Sequence, residues 1–372
     1  MGISEIPDGW LIKEGDVEEP VDPSTINDYF TFTNNNTSTS VINLNVNVDL
    51  LYYSYDDIKW KKYYKGVNSG RFDITLLQGG KVRLKAINTL ENTTTFDINS
   101  FLDNINISGN IQTLSAGDDY KNQQNRATYC YCLFKNKGNI DIDGLTLGAA
   151  TLTPECYSHM FVGNTFTNIP AGLLPATTLA EKCYSHMFAR CINIKSIPER
   201  LLPATTLAAG CYEYMFAFCN YLKNIPASLL PATTLAPYCY SHMFDECDAL
   251  QNIPDDFLLP ATTLAEKCYS HMFDGTKLHS ISEGLLPATT LAPNCYEYMF
   301  AACNYVTSIP EGLLPATTLA NNCYAGMFAN AQHLDLPPHL PATTLADGCY
   351  NNMFRGCKRL MAVHFYGREM GS

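Results

Sequence analysis

Apolar residues recur with a fixed period over the C-terminal two-thirds of the chain. The hexapeptide Pro-Ala-Thr-Thr-Leu-Ala occurs seven times, from Pro175 to Pro341, at spacings of 28, 28, 29, 27, 28 and 26 residues. Cys-Tyr-x-x-Met-Phe follows each copy and occurs eight times, from Cys156 to Cys349. Self-similarity at such a period predicts stacked structural repeats, because one repeat cannot bury its apolar face alone. We therefore predict a solenoid over residues 129–366.

Within one repeat, two local patterns predict two elements. Leu179, Cys183, Met187 and Cys191 lie four residues apart, which is typical of an apolar stripe on a short α-helix. The following Leu-x-x-Ile-Pro segment is short, apolar and closed by proline, which is typical of a strand. The sequence therefore predicts a mixed α/β solenoid, a leucine-rich-repeat-like stack of short strand plus helix units.

The segment before the repeats has a different pattern. Short runs alternate between apolar and polar residues, most regularly from Val41 to Val48, and favour β-strands. Gln78-Gly79-Gly80 separates two of these runs and is typical of a hairpin turn. We predict a small antiparallel β-sandwich at 28–115. The remaining boundaries are an extended acidic N-terminal tail at 1–27, a linker at 116–128 and a C-terminal tail at 367–372.

The repeat carries a family resemblance. The pattern Leu-x-x-Ile-Pro-x-x-Leu-Leu-Pro-Ala-Thr-Thr-Leu-Ala-x-x-Cys-Tyr-x-x-Met-Phe-x-x-Cys resembles the repeat of BspA-like leucine-rich repeat proteins of Bacteroidales and their phages. The resemblance covers roughly two-thirds of the chain. It implies a right-handed solenoid with a strand-lined face, used for adhesion or partner binding rather than catalysis.

Charge and motif content narrow the function. The net charge of −12 argues against nucleic acid or an anionic membrane as the partner, because both require a basic face. No apolar run approaches the length of a membrane span, so we expect no membrane insertion. No nucleophile triad, phosphate-binding loop or isolated carboxylate pair is present in the sequence, and we expect neither enzymatic activity nor a cofactor.

The fifteen cysteines offer two chemistries, disulfides and metal ligands. On a helix, Cys183 and Cys191 would lie about 12 Å apart at 1.5 Å per residue, which is too far for a disulfide. Asn, Thr and Ala replace the second cysteine in some repeats, which indicates a preference for small volume, so we predict free buried thiols. Cys-x-x-His occurs four times and resembles half a zinc site, but Tyr, Gly or Asn takes the histidine position in other repeats. We therefore predict no metal site, with weak calcium binding near Asp245 and Asp248 as an alternative.

Two columns of residues are the candidate binding sites. The first comprises variable polar residues of the predicted strands: Thr167, Lys195, Lys223, Gln251, His279 and Thr307. The second is a stripe on the side of the predicted helices: His159, His186, Tyr214, His242, His271 and Tyr298. The polar residues that follow the first column, from Asn168 to Ser308, are predicted to form an internal hydrogen-bonded ladder.

These observations predict a non-enzymatic phage virion protein, a fibre or decoration component. The N-terminal tail is expected to contact other virion proteins, and the solenoid to bind a host-surface glycan or protein. The first residues lack the basic and apolar regions of a secretory signal, which favours the virion over the alternative, a bacterial cell-surface adhesin. A carbohydrate-active accessory module is the third reading, and assembly into a homo-oligomer remains open.

Overall fold

The computed structural model describes residues 19–20, 28–46, 50–63, 71–87, 96–100, 102–119 and 129–360. Most of the predicted acidic tail, the greater part of the predicted linker, the last residues of the predicted solenoid and the C-terminal tail lie outside the described residues. The domain boundaries placed there stay predictions.

The described N-terminal part consists of β-strands and one short helix. The strands are β1 (Glu19–Pro20), β2 (Phe30–Asn34), β3 (Ser40–Val46), β4 (Leu50–Ser54), β5 (Lys59–Tyr63), β6 (Arg71–Leu76), β7 (Lys81–Ile87), β8 (Phe96–Ile98), β9 (Ile105–Asn110) and β10 (Leu145–Thr146), and the helix is α1 (Thr113–Ala116). They form a seven-stranded sheet in the order β1-β5-β4-β7-β2-β9-β10 and a three-stranded sheet in the order β6-β3-β8. We call residues 28–119 the two-sheet region.

Alternation along the strands creates one core between the two sheets. In β3, Ile42, Leu44 and Val46 are buried while the residues between them are more exposed, as the two-residue period of a strand requires. Phe30 and Phe32 of the larger sheet lie in the same hydrophobic cluster. The predicted hairpin at residues 78–80 is wrong, because β6 and β7 belong to different sheets and the turn carries the chain from one to the other.

The two-sheet region is continuous with the repeats. Strand β10 pairs in parallel with β9, and the ring of Phe134 in the first repeat stacks on Phe30 at a centroid distance of 6.3 Å. Gln112, next to α1, donates from Nε2 to the hydroxyl of Tyr157 at 3.1 Å. A single hydrophobic core therefore runs from the sheets into the stack.

The predicted strand-plus-helix unit is wrong. Among the described residues the one α-helix is α1, and the segments predicted as helices are successions of turns. We call each such segment a rung, exemplified by residues 182–191. The Leu-x-x-Ile-Pro segments contribute isolated parallel bridges, such as Ser196 with Asn224, rather than continuous strands. The mixed α/β fold class is therefore overturned by the almost complete absence of helix.

The backbone hydrogen bonds explain why a rung is not a helix. Along residues 182–191, alternate N–H groups bond within the rung to a carbonyl three residues earlier, as Met187 does to Tyr184 at 3.1 Å. The N–H groups between them donate to the next rung, as Tyr184 does to Cys211 at 3.1 Å. A helix would use every N–H internally. Here half of them join neighbouring repeats.

Left-handed backbone conformations fix this pattern. Lys182, His186 and Arg190 have φ values of 51°, 58° and 61°, and the corresponding residues of other repeats behave alike. A residue with positive φ every four positions interrupts a right-handed helix. The chain therefore runs along the rung as a succession of turns instead of coiling into a helix. The apolar period is consequently four residues rather than 3.6. Cys183, Tyr184, Met187 and Phe188 all point into the core.

Two columns of aromatic rings fill the stack. The phenylalanines from Phe161 to Phe354 lie 5.5 to 5.9 Å apart between successive ring centroids, with nearly parallel planes. The tyrosines from Tyr157 to Tyr350 form a second column with spacings of 5.7 to 6.0 Å. These distances suit offset stacking.

Candidate functional site

The first predicted column forms an exposed surface along the stack. All six of its side chains are exposed: Thr167, Lys195, Lys223, Gln251, His279 and Thr307. Backbone hydrogen bonds hold neighbouring members side by side. The N–H of Lys223 donates to the carbonyl of Lys195 at 3.0 Å, and that of His279 to Gln251 at 3.0 Å. Since the residues between them in sequence repeat while these differ, we call this surface the variable face.

The polar ladder predicted beside this column is wrong. Asn168, Ser196, Asn224, Asn252, Ser280 and Ser308 are all exposed rather than internal. Neighbouring repeats are joined here through the backbone, as in the parallel bridges at Ser196 and Ser308. The stack is therefore held at this edge by main-chain contacts, and these side chains are available to solvent.

Two exposed tyrosines belong to the variable face and were not predicted. Tyr221 and Tyr305 are 55% and 47% exposed and lie two residues before Lys223 and Thr307. The residue between each pair is buried, so alternation places tyrosine and polar residue on the same outer side. The ring of Tyr305 contacts His279 at 5.5 Å and His333 at 6.3 Å between centroids. Their position two residues before a member of the variable face could have predicted this from the sequence.

Charge is distributed unevenly along the variable face. Lys277 pairs with Asp248 at 3.4 Å, and Arg359 pairs with Asp335 at 2.9 Å. Lys195 and Lys223 lie on adjacent repeats, and neither ammonium group has a carboxylate partner within the described ranges. The two ends of the face therefore differ in charge.

The second predicted column forms a continuous stack of rings, which we call the ring column. His159, His186, Tyr214, His242, His271 and Tyr298 are all half-buried, and successive ring centroids lie 4.1 to 4.9 Å apart. The structure thus brings all six together, although on turns and not on helices. The column ends at Gly326, where a Cβ atom would lie 2.3 Å from the Tyr298 ring.

The histidines of the ring column have two kinds of partner. Ser158 and Ser185 hydroxyls lie 2.8 Å from Nδ1 of His159 and His186. In later repeats Asp245 and Asp274 carboxylates lie 2.8 Å from Nδ1 of His242 and His271 instead.

The pKa values of the first two histidines are shifted. Burial, together with the Lys135 ammonium, lowers the pKa of His159. Burial, and then the neighbouring His159, lowers the pKa of His186 to about 4. These two rings are therefore neutral at pH 7 and stack without charge repulsion.

All fifteen cysteines are free thiols, and burial raises the pKa of Cys183 to about 12. The second cysteine column does more than fill a small volume. Each thiol in it donates to the carbonyl of a phenylalanine in the preceding repeat, as Cys219 does to Phe188 at 3.2 Å. Asn164 makes the equivalent bond to Phe134 at 2.7 Å. The column therefore prefers a small hydrogen-bond donor, with Ala331 as the exception.

No group of three or more histidine, cysteine or acidic side chains is arranged to hold a metal ion within the described ranges. Asp245 and Asp248, the calcium alternative, instead contact His242 and Lys277. No described helix has the length and apolar character needed to span a bilayer.

Known proteins offer no match to this chain, whether the comparison is with family models, curated proteins or solved structures.

Proposed function

We propose that this protein is a non-enzymatic binding protein of a phage particle, whose repeat stack presents the variable face to a host-surface or virion partner. One observation carries the proposal. The repeats keep the same buried rings and thiols, yet the equivalent exposed position of the variable face varies among threonine, lysine, glutamine and histidine. A rigid backbone with variable outer side chains is typical of binding solenoids.

The setting on a phage particle rests on the sequence resemblance to BspA-like repeats. Its test is fractionation of purified phage particles followed by mass spectrometry. We expect peptides of this chain in the particles. Peptides found only in the envelope fraction of the host would overturn the virion setting and support the adhesin alternative.

The binding face has a separate test, which uses the full chain and whole host cells. Replacing Gln251, His279 and Thr307 with alanine removes three exposed side chains and leaves the core intact. We expect cell binding to fall at least about tenfold, which corresponds to 1.4 kcal/mol. The matched control replaces Thr262, Thr289 and Thr317, the first threonine of Pro-Ala-Thr-Thr in three repeats, which are also exposed but are not members of the variable face. Equal binding by both triple variants would place the partner elsewhere.

A further inference from the structure

Within the variable face, Lys195, Lys223 and Tyr221 form a patch of two lysines beside an exposed ring, which we call the basic patch. Lys195 and Lys223 are held side by side by the 3.0 Å backbone bond between their repeats. Parallel neighbouring segments lie roughly 4.8 Å apart, so the two ammonium groups share one small area of surface. Like charges that face each other on neighbouring strands are destabilising.

Nothing in the described part of the chain neutralises this pair of lysines. Glu199, the nearest acidic residue along the chain from Lys195, accepts a hydrogen bond from the Ser228 hydroxyl of the next repeat. Elsewhere in the repeats, Lys267 and Lys277 both have acidic partners, at 3.8 and 3.4 Å. In a chain with a net charge of −12, two adjacent unpaired lysines form a local positive site for an anion.

An exposed aromatic ring adjoins the two charges. Tyr221 is 55% exposed, and its N–H donates to the carbonyl of Ile192 at 3.2 Å. Ile192 is itself 41% exposed and lies three residues before Lys195. The patch therefore combines two point charges with an aromatic and an aliphatic surface.

We propose that the basic patch binds an anionic saccharide, with the sugar ring against Tyr221 and its acidic group between Lys195 and Lys223. A tyrosine ring offers an apolar face and a polar edge, as a sugar ring does. Two lysines are too few to hold nucleic acid on an acidic protein, since such binding needs many phosphate contacts. Lysine is also depleted from the cores of protein interfaces, which disfavours an acidic protein as the partner.

The saccharide site rests on the proposed function only because it lies on the variable face. Either claim can fail while the other stands. The probes are oligogalacturonate, which carries carboxylates, dextran sulfate, which carries sulfates, and neutral dextran, each titrated calorimetrically against the full chain. We expect one or both anionic probes to bind, and binding to weaken as salt shortens the Debye length from about 30 Å at 0.01 M to about 8 Å at 0.15 M. The preferred probe identifies the acidic group.

Matched variants separate charge from stacking. Lys195→Gln with Lys223→Gln removes both charges, keeps a polar side chain only one atom shorter, and should lower affinity at least about tenfold, or 1.4 kcal/mol. Tyr221→Ala should lower affinity without changing the salt dependence, whereas Tyr221→Phe retains the ring and should bind nearly as the wild type does. Lys277→Gln, the paired lysine of the same face, is the control and should have no effect.

Three results would overturn the anionic-saccharide site. They are equal binding of neutral dextran, wild-type affinity in the double glutamine variant, and no binding of any probe. If cell binding still depends on Gln251, His279 and Thr307 in that case, the proposed function stands without this site. Conversely, saccharide binding by a chain absent from purified particles would retain the site and reject the virion setting.

Discussion

Asn34 of the two-sheet region and the tyrosine column of the repeat stack differ in how their buried polar groups are paired. In the two-sheet region, Asn34 is fully buried and its amide makes hydrogen bonds to three backbone carbonyls. In the stack, five buried tyrosine hydroxyls have no hydrogen-bond partner among the described residues, at Tyr184, Tyr212, Tyr240, Tyr269 and Tyr324. The sheets are specified by directional polar contacts. The stack is specified by rings stacked on equivalent rings, by backbone bonds between repeats and by the small donors of the second cysteine column.

This difference predicts that the two regions respond differently to a change of register. Val41 and Leu258 are apolar residues of similar exposure, 50% and 48%. Deleting Val41 shifts β3 by one residue and turns its buried face outward, which should prevent folding of the two-sheet region. Leu258 is the extra residue of the one 29-residue spacing and is extruded between buried Phe257 and Leu259. Its deletion should change stability by no more than about 0.5 kcal/mol.

Urea unfolding followed by circular dichroism measures both deletions. Val41→Ala is the control, because it removes the same side chain without moving the strand and should cost little. The contrast would be wrong if deletion of Leu258 unfolded the stack as completely as deletion of Val41 unfolds the sheets. The stack would then tolerate a one-residue shift no better than a sheet does.

A smaller contrast is expected for two buried asparagines. Asn34→Ala removes amide bonds to Ser38, Leu76 and Leu77 and should cost about 3 kcal/mol, since each net hydrogen bond contributes about 1 kcal/mol. Asn164→Cys keeps the bond to Phe134 that thiols make in other repeats, but loses the amide bond to Phe161 and the bond from the Lys137 N–H, and should cost about 2 kcal/mol. Both are read from the shift in the unfolding midpoint. Equal losses would show that the stack also depends on one particular donor.

Removing a tyrosine hydroxyl should have opposite signs in the two regions. The Tyr29 hydroxyl donates to Asp118 Oδ1 at 2.6 Å, so Tyr29→Phe should lower the free energy of unfolding by about 1 kcal/mol. Tyr240→Phe removes a buried hydroxyl that has no described partner and should leave stability unchanged or raise it by up to about 1 kcal/mol. A clear loss in Tyr240→Phe would mean that this hydroxyl is hydrogen-bonded in solution.

The smallest expected contrast is in the response to acid. The pKa of His186 is about 4 in the folded chain and 6.5 as its ordinary value, so the unfolded chain binds more protons between these values. Stability of the stack should fall as pH drops from about 6.5 to about 4, by at most about 1 kcal/mol because the ring is partly exposed. His186→Tyr keeps the stacked ring, as Tyr214 does, and should remove this loss.

The two-sheet region should respond at lower pH. The Arg71 side chain, by its hydrogen bond to Asp73, lowers the pKa of that carboxyl below its ordinary value of 3.8. A lowered carboxyl pKa stabilises the fold at neutral pH, and this stabilisation is lost only as pH falls below that ordinary value. Thermal unfolding between pH 7 and pH 3 measures both regions. An unchanged acid response in His186→Tyr would exclude His186 as its source.

Some of this architecture follows directly from the sequence. Strict alternation from Val41 onward predicted a strand and its buried face, because a strand has a two-residue period. The recurrence of Pro-Ala-Thr-Thr-Leu-Ala predicted stacked repeats with a stripe of histidines and tyrosines along one side. The exposure of the variable face followed from the polar and diverse character of its residues.

The spacing of apolar residues alone does not distinguish a helix from a rung. A four-residue apolar period fits both structures, and they differ in the sign of φ at Lys182, His186 and Arg190. One signal was present. Glycine or asparagine takes these positions in several repeats, as at Gly210, Gly326, Asn330 and Gly356, and both residues favour positive φ. The partners of Lys195 and Lys223 depend on neighbours that only the folded chain brings together.

The backbone bonds between rungs have a mechanical consequence. The N–H groups of Tyr184, His186 and Phe188 all donate to the next repeat, so they share the load at one interface, while a pull between the two ends of the stack loads successive interfaces in series. Repeats should then detach one after another, each releasing 28 residues, or roughly 90 to 100 Å of chain at about 3.3 to 3.6 Å per residue. The stack would lengthen stepwise under tension, while the repeats that are still folded stay bound to the partner.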